Sequence, residues 1–172
     1  MKNIVKISLL LMGLFLSQLS FAQKMEEGLP EDLPQSKIMF LAYEMLDPAR
    51  AQLRKPLMRY YEKCNEQAVK ANEKLKAAAS EYPYEHIIIT RAELIEKTYP
   101  KGYKYVMNCD LMDAQNNGEI VYAPNTKFYS PLYILNIETG ERYELMMLAQ
   151  AGVYSFEKIM NTLNKKIKKQ FN

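Results

Sequence analysis

LYILNIETGERYEL, residues Leu132 to Leu145, sets a charged knot, Glu138-Thr139-Gly140-Glu141, between two apolar flanks. A ligand loop and a chain reversal would both look like this, and the flanks decide between them. Tyr133, Leu135 and Ile137 alternate with Leu132, Ile134 and Asn136, the period of a strand with two distinct faces. Arg142 to Leu148 reads as the next strand. Gly140 can take the left-handed conformation that closes a short hairpin. The stretch therefore predicts an antiparallel pair near the end of the chain.

Upstream the rhythm changes. Lys37 to Glu44 (KIMFLAYE) is a nearly continuous apolar run, as expected of a strand buried on both faces. After the Asp47-Pro48 break, Leu57, Tyr61, Cys64, Ala68, Ala71, Leu75 and Ala78 recur at three- and four-residue steps, the stripe of a long helix. Pro56 fits its start or a kink. Tyr82-Pro83 ends it. His86 to Thr90 is a second strand, rich in β-branched residues, and Arg91 to Lys97 a short helical turn. Tyr103 to Leu111 alternates as a third strand. Asn117-Gly118 signals a turn before a short strand at Glu119 to Tyr122. Ser155 stands where it can cap a last helix, whose stripe is Phe156, Ile159 or Met160, Leu163, Ile167 and Phe171. The expectation is an α/β (α+β) domain with a mixed sheet of five to six strands. Its early strand–helix–strand–helix–strand part should pair in parallel, and a later antiparallel meander leads to the C-terminal helix.

The first 22 of the 172 residues read as a secretory signal peptide: Lys2 and Lys6, an apolar run from Ile7 to Leu19, then Ser20-Phe21-Ala22 before Gln23. The run is short for a membrane span, and no cysteine stands at the cleavage point to take a lipid. Export, to a periplasm or to the medium, is expected, with no transmembrane anchor after cleavage. Two of the 23 basic residues fall in that leader, leaving 21 against 20 acidic ones. So even a balance gives no electrostatic case for nucleic acid. Residues 23–36, acidic with two prolines, read as a flexible arm, and 37–172 as a single domain.

Catalytic patterns are sparse. His86 is the only histidine, and no G-x-S-x-G elbow, phosphate loop or C-x-x-C pair is present. Asp110 and Asp113 could hold a cation with Asn116 or Asn117, but an EF-hand register is missing and turn-forming roles explain them better. Neither a metal nor a cofactor is expected. Cys64 and Cys109 fall on apolar faces; export permits a disulfide between them, and two small buried side chains is the other reading. Phe128-Tyr129, in a polar loop, is the candidate contact for a partner. Lys165, Lys166, Lys168 and Lys169 make the last helix basic, which suits a solvated helix end and also an anionic surface.

Five patterns in order resemble the periplasmic α/β domain shared by the amino-terminal part of TolB, by CsgG and by lipoprotein activators of penicillin-binding proteins. KIMFLAYE is similar to the opening strand. HIIITRAELIE, with Arg91 and Leu94, is similar to a strand and helical turn. YKYVMNCDL, YILNIETGERYEL and SFEKIMNTLNKKIKK resemble the next strand, the acidic-Thr-Gly-Glu hairpin and the closing helix. Cys109 and Asp110 stand where that family commonly has small residues or glycine. The export signal, this ordered resemblance and the missing catalytic constellation together point to a non-enzymatic binding or adaptor domain acting on a cell-envelope protein. The alternatives are an oligomeric envelope or secretion component, hence a homo-oligomer, and a hydrolase built from carboxylates such as Asp110.

Overall fold

The structure, a computed structural model, describes residues 25–47, 55–118 and 128–171. The expected signal peptide and the expected strand at Glu119 to Tyr122 lie outside the described residues. The strands are β1 (Met25–Glu27), β2 (Lys37–Leu41), β3 (His86–Ile89), β4 (Tyr103–Cys109), β5 (Tyr129–Asn136) and β6 (Arg142–Ala149). The helices are α1 (Lys55–Ala79), α2 (Arg91–Glu96), α3 (Asp110–Asn116) and α4 (Phe156–Phe171). The six strands form one sheet in the order β1-β6-β5-β4-β2-β3. β2 pairs in parallel with β3 and β4, while β4, β5 and β6 are antiparallel, so the mixed α/β expectation holds.

Pairing type follows from the connections. Helices α1 and α2 carry the chain back between parallel strands, whereas a tight turn joins β5 to β6. That turn is the charged knot. Gly140 has φ 78° and its N–H donates to Asn136 O at 2.8 Å. The Asn136 side chain accepts from the N–H groups of Glu138 and Thr139, so the knot folds on itself.

Helices α1 and α4 lie together on one sheet face. Ala68, Ala71 and Leu75 of α1 and Phe156, Ile159, Met160, Leu163 and Ile167 of α4 meet Ile38, Phe40, Tyr105, Met107, Leu132 and Ile134. Each fully buried large side chain in such a layer is worth about 1.5–3 kcal/mol. The second face carries a smaller core of Met39, Leu41, Ile89, Tyr103 and Val106, packed by Leu94 of α2 and by Tyr99.

Three sequence expectations are corrected. Residues 25–36 are part of the fold, not a flexible arm. β1 pairs with the first three residues of β6, and Leu29, Pro30 and Leu33 are buried. Gln170 of α4 fixes Leu29 by accepting from its N–H at 3.0 Å and donating to its carbonyl at 2.8 Å. The third strand stops at Cys109, because Asp110 and Asp113 occupy the first turn of α3, where carboxylates are favoured, and Met112 and Gln115 turn inward at helical spacing. Cys64 and Cys109 are free, buried thiols in separate clusters, so the disulfide reading is not realised.

After β2, Ala42 N–H still reaches Ile89 O of β3 at 2.9 Å; beyond it the chain leaves the sheet, and α1 supplies hydrogen bonds in place of a strand. Asn72 accepts from Tyr43 N–H at 2.8 Å and donates to Tyr43 O at 2.9 Å. Asn65 does the same for Leu46, at 2.7 and 2.9 Å. The geometry matches: seven residues of helix advance about 10.5 Å, and three residues of extended chain about 10 Å.

Asn72→Ala strands two backbone groups of Tyr43 and should cost about 1–3 kcal/mol in urea unfolding. Glu73→Ala, on the exposed face, should stay within about 0.5 kcal/mol, and equal losses would contradict the clamp.

Asp32 ties the N-terminal segment to β4. It accepts from Tyr105 OH at 2.5 Å, Lys104 Nζ at 2.6 Å and Ser36 OH at 3.1 Å. Partial desolvation pushes its pKa up, but the hydrogen bonds from Lys104, Tyr105 and Ser36 together outweigh it and take the carboxyl from 3.8 down to about 2. The folded group holds its proton less tightly than the unfolded one. Its contribution is therefore complete above pH 3.8 and is lost as pH falls towards 2. Asp32→Asn should flatten stability against pH in that window; an unchanged acid limb would contradict the latch.

Candidate functional site

The second face divides in two. Its β2–β3 side is covered by α2 and by Tyr99, whereas its β5–β6 side is met by α3 at Asp110, which bonds Tyr133, and leaves Tyr129 and Met147 exposed. Strand alternation puts Tyr129, Pro131 and Tyr133 of β5 there, with Arg142, Glu144 and Met147 of β6 opposite. Asn108 of β4 joins them through its pairing with Tyr133.

At the centre, the Arg142 guanidinium stacks on the Tyr133 ring, 4.4 Å from its centroid. Tyr133 OH donates to Asp110 Oδ1 at 3.0 Å, and Arg142 Nη1 stands 4.0 Å from the same oxygen. Arg142 Nε is buried and makes no hydrogen bond among the described residues. Beside this group, Asp113 ion-pairs with Arg91 and accepts from Asn108 Nδ2 at 3.0 Å. Burial first, and then the charge of Asp110, push the Tyr133 phenol up to about 12, so it donates throughout the physiological range.

The carboxyl ends of β2 and β4 are where the connections diverge, the usual place for a ligand crevice in an open α/β sheet. Here side chains bridge it. Asn116 Oδ1 accepts from Glu44 N–H at 3.2 Å, and Glu44 Oε1 accepts from Ala92 N–H at 2.8 Å. Asp110 and Asp113 sit in one helical turn, but each faces an arginine, and no group of acids, cysteines and histidine suited to a metal forms among the described residues. This balanced set of two acids and two arginines is built to hold position and to present Arg142 on an aromatic base.

Phe128 and Tyr129 are exposed, at 41% and 58%. They sit where Gln150 N–H donates to Phe128 O at 2.9 Å, at the start of β5, and Tyr129 shares the second face with Tyr133, with Pro131 between them. His86 lies on edge strand β3, its Nδ1 3.0 Å from Tyr84 O and its ring against Phe40 and Tyr82. Lys165 and Lys168 border open grooves of about 500 and 520 Å³ beside α4, and Lys166 donates to Glu144 O at 3.3 Å. No described helix is long and apolar enough to cross a membrane.

Sequence reading found the Phe128-Tyr129 pair and Asp110, had Tyr133 as a strand residue, and missed Arg142 as the neighbour of Tyr133 and Asp110. The signal was the hairpin register: counting back from Gly140 sets Arg142 across from Leu135 and diagonal to Tyr133, two residues along on the same face. No family model matches this chain, and neither a curated protein nor a solved structure does.

Because Asp110 raises the Tyr133 pKa and Arg142 lowers it, Asp110→Asn should move the phenol down and Arg142→Ala should move it up. Carbon NMR of the ring Cζ in labelled tyrosine reads both shifts. A titration that neither substitution moves would break the assignment.

Proposed function

We propose that this protein is an exported, non-enzymatic adaptor domain that docks on a protein of the cell envelope through the open half of its second sheet face. One observation carries the reading: Phe128 and Tyr129 stand in solvent at the start of β5, the strand whose Tyr133 carries the stacked Arg142 guanidinium. Aromatic residues and arginine dominate the energetics of protein interfaces, because they bury large area with few torsions to freeze. A complementary partner offers an apolar side chain for the aromatic pair and a carboxylate for the exposed part of the Arg142 side chain, which is 28% accessible.

Further support comes from the leader-like Met1 to Ala22 and from the five ordered patterns that resemble periplasmic envelope domains. The arginine pairing of Asp110 and Asp113 favours binding over carboxylate catalysis.

A photo-crosslinking amino acid placed at Tyr129, in the full chain expressed in its parent organism, tests the reading. A discrete adduct in the envelope fraction is expected, absent when the probe sits at exposed Val69 of α1 and lost with Arg142→Glu. No adduct, or the same adduct from Val69, overturns the docking face. In the same cells, a mass starting near Gln23 is expected; a chain retaining Met1 in the cytoplasm overturns export.

A further inference from the structure

β6 is eight residues long, but β1 covers only Arg142 to Glu144 of its outer side. The chain then turns away at Gly28, whose φ of 92° suits glycine, and Leu29 passes to α4. Along Leu145-Met146-Met147-Leu148-Ala149 no strand lies outside β6 among the described residues. Proteins normally guard such an edge with lysine, proline or an inward charge. Here the last guard is Lys166, on Glu144 O, and the five residues beyond it contain no charge and no proline. A bulge where Leu132/Tyr133 meets Met146/Glu144 bends the start of this stretch and leaves its end regular.

We infer that this edge pairs with the same edge of a second copy, antiparallel and about a twofold axis, joining two six-stranded sheets into one. The occupant is fixed by self-complementarity. A twofold through Met147 sets Met147 against Met147 of the second copy on the open face, and Met146 against Leu148 of the second copy on the helix-bearing face. Each pair is apolar and neither meets a like charge. Pairing an edge with itself closes the assembly at two copies and removes the exposed ladder. β1 shows that the edge accepts an extended chain, and it ends at Glu27, opposite Glu144, just short of the second copy's strand. Met147 is 53% exposed, so its side chain is available at the junction.

Five residues of ladder span only about 17 Å. The contact is therefore smaller than the roughly 1,200 Å² of a standard stable interface, and the dimer should depend on concentration. Self-pairing uses the backbone edge of β6 and partner docking the face beside it; Met147 borders both, so the purified protein, with no partner present, reads self-pairing alone.

Sedimentation equilibrium of the purified protein, from micromolar to millimolar, tests it. The expected result is a monomer passing to a dimer and no further. Met147→Lys and Met147→Glu, each placing like charges face to face, should each remain monomeric with unchanged melting, and an equimolar mixture should recover the dimer. A wild-type protein that is monomeric throughout overturns the inference. So does Met147→Lys dimerising like wild type, or a mixture that fails to recover the dimer.

Discussion

The residues Ile38 to Leu41 of β2 have no side of the sheet on which they could meet water. Ile38 and Phe40 face the two-helix layer, while Met39 and Leu41 face the other way, and all four are buried. Parallel strands flanked on both sides demand such cover, since their connections must pass over the faces. Helices α1 and α4 meet the demand on one side. On the other it is met locally, by α2 and Tyr99, in a cluster that reaches Val106 of β4 and Leu135 of β5. Beyond them the strands are antiparallel, and their second face mixes buried Tyr133 and Asn108 with exposed Tyr129 and Met147. The candidate site lies where the demand ends.

Fixing β2 also fixes the segment after it. The chain leaves the sheet extended, and Asn72 and Asn65 hold it on α1 by reproducing the two bonds a neighbouring strand would have made. Gln170 uses the same device on Leu29 at the other end of the helical layer. Side-chain amides carry a donor and an acceptor at a spacing that matches a backbone residue, and so can end a sheet without leaving buried polar groups unpaired. The N-terminal segment and the chain leaving β2 are thereby locked to the same two helices that bury Phe40 and Ile134.

Local physics made the sheet legible. The unbroken apolar run at Lys37 to Leu41, the alternation of β5 and the glycine of its hairpin each follow from burial or from one torsion angle. The helical stripes of α1 and α4 were legible for the same reason. The errors arose where distant residues decide. Residues 25–36 look disordered by composition, yet Leu29 is held by a residue 141 positions away. Alternation carried the third strand to Leu111, although the first-turn acids of α3 and buried Met112 favoured a helix. At the site, Tyr133 and Asp110 could be named from sequence, but their joining through Arg142 needed the register of three strands. The pairing of Asp113 with Arg91 needed a crossover connection as well.

One sheet face is cored under α2 over its parallel half and leaves Tyr129 and Met147 exposed over its antiparallel half, and the proposed docking surface depends on that division. Met39 and Met147 lie on that same face, the first fully buried and the second 53% exposed. Timed peroxide oxidation of the native protein in dilute solution, followed residue by residue by mass spectrometry, compares them directly. Rapid oxidation of Met147 is expected, with Met39 protected until the protein unfolds. Similar rates at the two methionines, or a protected Met147 in the monomer, would contradict the division.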